Sequence, residues 1–199
     1  MVRIAVFVSG GGTNLQALID AKKEINGEIV LVVSNRKNAY GLERAKEANI
    51  KTLYSKDEDL IIATLQNEKV DLIVLAGYLA IISDKMISHY QNKIINIHPS
   101  LIPAFCGPGY YGIHVHEEAF KRGVKVAGAT IHFVSNEVDG GPIIMQEAID
   151  VSDCDSPEAM QKKVLLNVEH KLLVKAVKLY CDNRLVVEDA RVKIIWKEL

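Results

Sequence analysis

An amide and an imidazole follow one short apolar run in the middle of the chain. Asn96 and His98 lie in the segment NIHPSLIP, residues 96–103, directly after Ile94 and Ile95. Side chains two positions apart on an extended chain point to the same side, so these two polar groups face one space. A histidine titrates near neutral pH, and an amide N–H stabilises a developing oxyanion. The pattern predicts acid–base chemistry at the end of a strand.

A carboxylate in the second half of the chain is the candidate partner of this histidine. Asp139 lies in EVDGGP, residues 137–142, where two glycines and a proline predict a tight turn. Aspartate is common in turns for purely local reasons, so one interpretation is structural. The other is that the turn brings Asp139 to His98, where its charge raises the pKa of the imidazole and favours a proton donor.

The sequence has no clear motif for a protein nucleophile. Ser100 follows a proline and lacks the GxSxG elbow of serine hydrolases. Cys106 lies in FCGPGYYG, a segment typical of a binding loop or lid. We therefore expect direct transfer of an acyl-type group between two bound substrates, which the protein aligns.

A glycine loop follows the first apolar run. SGGGTN, residues 9–14, offers backbone N–H groups and a helix N-terminus, which together favour an anion. The third glycine of a dinucleotide fingerprint is replaced by Leu15, and a Walker lysine is missing. A single phosphate group is the better prediction, with Thr13 and Asn14 adding donors and capping the helix. A simple tight turn is the alternative.

Apolar runs and helical patterns alternate in the first half of the chain. Uninterrupted apolar strands separated by helices predict a parallel sheet that is buried on both faces. The predicted strands cover residues 2–8, 28–33, 51–54, 71–75 and 93–97, and helices begin near Leu15 and cover residues 40–48, 60–67 and 83–90. His98 then stands at the carboxyl end of a parallel strand, where open α/β sheets bind their ligands.

The second half of the chain no longer alternates short strands with helices. Residues 127–134 and 142–151 predict an antiparallel hairpin, residues 156–181 a long amphipathic helix, and the region of Val186 and Ile194 a small hairpin. We predict one α/β domain over residues 1–199, with a Rossmann-like, mostly parallel twisted sheet and an antiparallel addition in its C-terminal half.

Composition narrows the possible partners. The net charge is −1, so no bulk field draws the chain to nucleic acid, and no apolar run approaches the length of a membrane span. Three widely spaced cysteines predict free thiols and a cytoplasmic location.

The other histidines predict no metal site. His114 and His116 fall in or just beyond a loop without a further ligand at suitable spacing. His89 is expected in solvent, His132 near the site, and His170 on the long helix.

Four segments together resemble the phosphoribosylglycinamide formyltransferase family. These segments are SGGGTNLQAL, AGY, NIHPSLIP and HFVSNEVDGGPII, and they occur in the family's order over nearly the whole chain. The resemblance implies a formyltransferase domain that passes the formyl group of 10-formyltetrahydrofolate, a co-substrate, to the amine of 5'-phosphoribosylglycinamide through a tetrahedral intermediate. This reaction belongs to de novo purine biosynthesis and needs no metal.

The resemblance also implies roles for individual residues. The catalytic residues are Asn96, His98 and Asp139, and the phosphate and ribonucleotide contacts are Gly12, Thr13, Asn14 and Glu169. The folate pocket comprises Leu79, Ala80, Ile81, Ile82, Asn96, Ser135, Asn136, Glu137, Val138 and Asp139. Two features depart from the family. Ala80 stands where many members carry a basic residue, and the loop of residues 104–112 is longer than in the shortest members.

Three other functions remain open on this evidence. A methionyl-tRNA formyltransferase shares the Asn–His–Asp set, but it would need an additional, usually basic, C-terminal domain. A formyltetrahydrofolate deformylase, which is a hydrolase, would need an additional N-terminal domain. A non-catalytic phosphoribosyl-ligand binding module would have no use for an acid beside the acyl site. The implied partners are small-molecule substrates, without nucleic acid or membrane, acting on a monomer or homodimer.

Overall fold

A seven-stranded sheet forms the centre of the molecule in a computed structural model that describes residues 1–196. Its central strands follow apolar runs of the sequence, because these runs bury side chains on both faces of the sheet. The strands are β1 (Val2–Val8), β2 (Gly27–Ser34), β3 (Lys51–Tyr54), β4 (Leu72–Leu75), β5 (Ile94–His98), β6 (Val126–Phe133) and β7 (Ile143–Asp150).

The strand order is β3-β2-β1-β4-β5-β6-β7. β1 to β5 pair in parallel, whereas β5 with β6 and β6 with β7 pair antiparallel. This arrangement confirms the predicted fold class, including the antiparallel addition in the C-terminal half. The order reverses beside β1, where β2 lies on one side and β4 on the other, so a ligand crevice is expected at the carboxyl ends of these strands.

Helices cover both faces of the sheet and enclose two apolar clusters. Phe7 and Leu31 belong to one cluster, while Val6 and Leu172 belong to the other, as the alternation along each strand requires. The helices are α1 (Thr13–Asp20), α2 (Tyr40–Glu47), α3 (Glu58–Asn67), α4 (Asp84–His89), α5 (Ile113–Arg122), α6 (Pro157–Val164) and α7 (His170–Cys181). α5 was not predicted.

The predicted long helix of residues 156–181 is present, but a π-helical turn interrupts it. Ser156 accepts a hydrogen bond from the Ala159 amide and Pro157 begins α6, as expected of an N-cap followed by proline. The turn Leu165–Glu169 then joins α6 to α7. Such a turn inserts an extra residue and changes which side chains face the sheet.

A separate two-stranded sheet, β8 (Leu185–Glu188) with β9 (Arg191–Ile194), confirms the predicted small hairpin. Within residues 1–196, no helix is long and apolar enough to cross a membrane. The assignment of residues 1–199 to a single domain stays a prediction, and its last three residues lie outside the described part.

Candidate active site

A cavity of about 610 Å³ opens at the carboxyl ends of β1, β4 and β5. All the catalytic and binding residues that the family resemblance implies lie on its wall, from Gly12 to Glu169. Asn96 pairs in register with Leu75, the last residue of β4. The predicted residues are therefore brought together, while their individual roles stay predictions.

His98 and Asp139 meet on this wall. His98 Nδ1 lies 3.5 Å from Asp139 Oδ2, and both side chains are more than nine-tenths buried. The other ring nitrogen, His98 Nε2, donates to the carbonyl of Phe105 at 2.9 Å. The Gly107 amide donates to Asp139 Oδ2 at 2.9 Å, so the loop that follows β5 holds both groups in place.

His132 completes the polar cluster. It stands directly opposite Asn96 in the antiparallel pairing of β5 with β6. Its Nδ1 donates to the Phe133 carbonyl at 2.9 Å, which leaves Nε2 to accept from Asn96 Nδ2 at 3.1 Å. His132 Nε2 also lies 3.6 Å from Asp139 Oδ1. An amide carries two N–H groups, so Asn96 keeps one for a ligand.

The pKa of His98 differs from the expectation. Burial lowers the pKa of this imidazole below 6.5 and outweighs the opposite effects of Asp139 and the Phe105 carbonyl. The expectation that Asp139 raises the pKa of His98 above its ordinary value is therefore wrong for the net shift. Burial would raise the pKa of Asp139, but His98 and the hydrogen bond from the Gly107 amide contribute to holding the pKa of that carboxyl below its ordinary value.

The turn of Ser135 to Gly141 sets the position of Asp139. The backbone of Asp139 is left-handed, with φ 56°, a conformation that aspartate tolerates better than most residues. At Gly141, an added Cβ would lie 1.8 Å from the Phe133 carbonyl oxygen, so this close approach requires glycine. Gly141 therefore allows the chain to turn tightly after β6 and to continue as β7 alongside it, with Asp139 on the cavity wall.

The glycine loop forms another part of the wall. Gly12 has φ 70° and is the N-cap of α1 without a side-chain cap, so the expected capping by Thr13 or Asn14 does not occur. Asn14 Nδ2 instead donates to Glu169 Oε2 at 2.8 Å, and Asn14 Oδ1 is buried without a partner. The hydrogen bonds of residues 1–196 include none donated by the backbone amides of Gly11, Gly12, Thr13 and Asn14.

Glu169 is a buried carboxyl group with one side-chain donor. Its side chain comes from the end of the π-helical turn, which brings it against α1. Burial raises the pKa of Glu169 to about 7, against the smaller lowering effect of Asn14. Near neutral pH this group is therefore divided between its acid and carboxylate forms.

Apolar side chains form the rim at the other end. Ile81 is 83% exposed and Val138 is 40% exposed, although both lie on the cavity wall. The segment of residues 79–82 is fixed by the Leu79 amide, which donates to Ser9 Oγ at 2.8 Å. Exposed apolar groups beside a cavity are typical of a ligand site.

His116, which was expected in or just beyond a loop, lies on the cavity wall. It lies on α5, is 1% exposed, and its Nε2 has no partner. Burial, with a smaller contribution from nearby His98, lowers the pKa of His116 to about 4. The signal for its helix was present in the sequence, because Gly112 and Gly123 bound the segment and Val115 and Ala119 have helical spacing.

The remaining predicted residues lie away from the chemistry or at its edge. His89 is exposed at the end of α4, and His170 begins α7, both as expected. His114 forms an ion pair with Glu117 on the surface of α5. Residues 1–196 contain no group of three or more histidine, cysteine or acidic residues arranged to hold a metal ion.

The fold and the cavity together define a class: Rossmann-like α/β proteins with an amide, an imidazole and a carboxylate at the carboxyl ends of the strands. The formyl transferase family matches residues 2–177. The chain belongs to this family.

Named relatives are similar over most of the chain. A phosphoribosylglycinamide formyltransferase of Escherichia coli is 36% identical, covering 94% of this chain and 91% of its own length. A chloroplastic one from Arabidopsis thaliana is 38% identical, covering 97% of this chain and 70% of its own length. The crystal structure of glycinamide ribonucleotide transformylase 1 from Symbiobacterium toebii has a TM-score of 0.90 and 41% identity, covering 98% of this chain and 94% of that one.

Proposed function

We propose that this protein transfers the formyl group of 10-formyltetrahydrofolate to the amine of glycinamide ribonucleotide, a step of purine biosynthesis. The observation that carries the proposal is the convergence of Asn96, His98 and Asp139 on a cavity whose two ends differ in chemistry. One end presents backbone amides and the other presents apolar side chains. The names of the relatives agree with this assignment.

The amide-rich end fits a phosphorylated ribose. Gly11, Gly12, Thr13 and Asn14 present N–H groups that can donate to phosphate oxygens. Deeper in the cavity, Asn14 Oδ1 is a buried acceptor without a donor, and Glu169 lies beside it. Ribose hydroxyls are donors that would satisfy both groups, and an unsatisfied buried acceptor costs about 1–3 kcal/mol.

The apolar end fits a flat heterocycle with polar edges. Leu79, Ile81 and Ile82 provide apolar walls, while the turn of residues 135–139 provides backbone groups at the edge. Asn136 Nδ2 donates to Asp84 Oδ1 at 2.9 Å, which links this turn to the start of α4. Ala80 supplies no charge here, and neither lysine nor arginine is among the described wall residues.

The co-substrate supplies an activated formyl carbon, and the protein stabilises the charges that develop during attack. Attack by the substrate amine makes the formyl oxygen negative and the amine nitrogen positive. The second N–H of Asn96, not used by His132, donates to the oxygen. Loss of one such donor typically costs roughly 10²- to 10³-fold in rate.

The His98–Asp139 pair transfers the proton of the attacking amine to the leaving group. Because the pKa of His98 is below 6.5, its imidazole is mostly neutral at pH 7 and can accept a proton. The accepting atom is Nδ1, which faces Asp139 Oδ2 at 3.5 Å, and the carboxylate stabilises the imidazolium that results. The proton then passes to the folate nitrogen as it leaves.

A two-substrate assay tests this function. Purified protein is given 10-formyltetrahydrofolate with glycinamide ribonucleotide, with charged initiator methionyl-tRNA, or with neither, and release of tetrahydrofolate is followed. We expect release only with the ribonucleotide and a rate loss of about 10²-fold or more in Asn96→Ala. Release with the tRNA would favour the tRNA enzyme, release without an acceptor would favour a hydrolase, and no release would favour a binding module.

We also propose that the protein acts in the cytoplasm on small-molecule substrates alone, as a monomer or homodimer. All three cysteines are free thiols, which suits a reducing compartment. A fluorescent fusion in the source cells and analytical ultracentrifugation of the purified protein test the location and the oligomeric state.

A further inference from the structure

We propose that Arg44 is a positioning residue for phosphate recognition, which it serves from behind the glycine loop without touching the substrate. The inference rests on the proposed function, because it concerns the phosphate end of the same cavity. Arg44 lies on α2 and is absent from the cavity wall. Its Nε donates to the Gly11 carbonyl at 2.8 Å, and its Nη1 donates to Gln16 Oε1 at 3.0 Å.

Two consecutive carbonyls of the loop are bonded to α2. The Gly41 amide, in the first turn of α2, donates to the Gly10 carbonyl at 3.0 Å, and Arg44 Nε donates to the Gly11 carbonyl. In a trans peptide the N–H points opposite to the C=O. The Gly11 and Gly12 amides therefore point away from α2, and both residues line the cavity. Successive amides that point one way form an anion-binding concavity.

The guanidinium is fixed on more than one side. Its carbon lies 5.0 Å from the centroid of the Tyr40 ring, in addition to the two hydrogen bonds. Arginine keeps its charge at all ordinary pH values and donates from a rigid fork. A free loop peptide could rotate and direct its carbonyl oxygen at the phosphate, which would repel it. Arg44 holds the peptide in the orientation that attracts an anion.

The close contact of α2 with the loop depends on two glycines. A Cβ on Gly12 would lie 2.6 Å from Gly41 Cα, and a Cβ on Gly41 would lie 2.9 Å from Val8 Cγ2. This close approach of the backbones accompanies the hydrogen bond from Arg44 to the Gly11 carbonyl. The contact therefore serves the orientation of the loop as well as the packing of α2 on β1.

The test compares Arg44→Met, Arg44→Lys and a control, Lys46→Met. Lys46 is exposed on the same helix and pairs only with Glu43 among the described residues, so its loss removes the same charge without touching the loop. We expect Arg44→Met to raise KM for glycinamide ribonucleotide about 10-fold, with kcat and KM for the folate changed less than about 2-fold. Arg44→Lys should recover part of the loss, and Lys46→Met should match the wild type.

Calorimetric titration with ribose 5-phosphate separates this inference from the proposed function. We expect Arg44→Met to weaken binding of ribose 5-phosphate about 10-fold and to leave the melting temperature within a few degrees. Unchanged binding, or equal losses for both substrates, would overturn the positioning role. If the wild type formylates no ribonucleotide but its binding of ribose 5-phosphate depends on Arg44, the proposed function fails and the positioning role stands.

Discussion

Replacing Glu169 with glutamine should stabilise the protein above pH 7 and leave its stability near pH 4 almost unchanged. Glu169 is 6% exposed and has one donor, Asn14 Nδ2, so its carboxylate form is poorly solvated. Burial raises the pKa of Glu169 from 4.5 to about 7. Glutamine has nearly the same shape, accepts from Asn14 in the same way, and carries no charge at any pH.

The sign and the magnitude of the effect of Glu169 on the free energy of unfolding follow from the linkage between proton binding and folding. Between pH 4.5 and about 7 the folded protein holds a proton on Glu169 that the unfolded chain has released, so the free energy of unfolding falls as pH rises. Below pH 4.5 Glu169 is protonated in both the folded and the unfolded protein, so burying it costs no charge. Above pH 7 the folded protein bears the full free-energy cost of the buried carboxylate. At about 1.4 kcal/mol for each pH unit, the interval corresponds to about 3 kcal/mol.

Urea denaturation at pH 4.5 and pH 8 measures this effect. The difference in free energy of unfolding between Glu169→Gln and the wild type should be larger at pH 8 by about 3 kcal/mol. His98 and His116 titrate in both proteins, so their contributions cancel in the difference. Glu147→Gln, which removes an exposed carboxylate of β7, is the control and should show no such change. A Glu169→Gln difference independent of pH would refute the argument that this carboxyl is buried with a raised pKa.

Three further predictions concern the cavity wall and the turn that follows β6. Burial lowers the pKa of His116 from 6.5 to about 4, so folding stability is lost as pH falls through this range, and His116→Gln should recover up to about 3 kcal/mol at pH 4 by urea denaturation. Asp139→Asn should lower the pKa of His98 further, as followed by NMR titration, and an unmoved pKa would show that the groups do not couple. Gly141→Ala should destabilise the protein by more than about 2 kcal/mol, because its Cβ would lie 1.8 Å from the Phe133 oxygen; a change below about 0.5 kcal/mol would contradict this.

The sheet and its polar end were predictable because their signals are local. Continuous apolar runs such as Val2–Val8 fix the strands, and the position of His98 directly after one of them fixes its place at the sheet edge. The turn at Asp139 could be predicted as well, but its approach to His98 could not be decided from the sequence, because it depends on the pairing of the hairpin with β5. The strands can be inferred from the spacing of apolar residues along the chain, and the turn from its aspartate and glycine residues.

Features that depend on tertiary packing could not be predicted in the same way. The π-helical turn Leu165–Glu169 has a sequence that also suits an ordinary α-helix, so local propensity does not reveal it. The pKa of His98 depends on how much of the ring is buried, and no pattern of residues near it reports that burial. The hydrogen bond of Arg44 to Gly11 could not be predicted either, because Gly11 lies 33 residues away and accepts through its backbone carbonyl, which every residue has.

The polar cluster depends on both kinds of strand pairing at this cavity, the parallel pairing of β4 with β5 and the antiparallel pairing of β5 with β6. Parallel strands alone would bring their carboxyl ends to one edge, with polar side chains supplied by strand ends and loops. β6 runs antiparallel to β5, so it places His132 within the strand directly opposite Asn96. The turn after β6 then returns at the same edge with Asp139, which lies between His98 and His132. The antiparallel addition therefore supplies two of the four polar groups, His132 and Asp139.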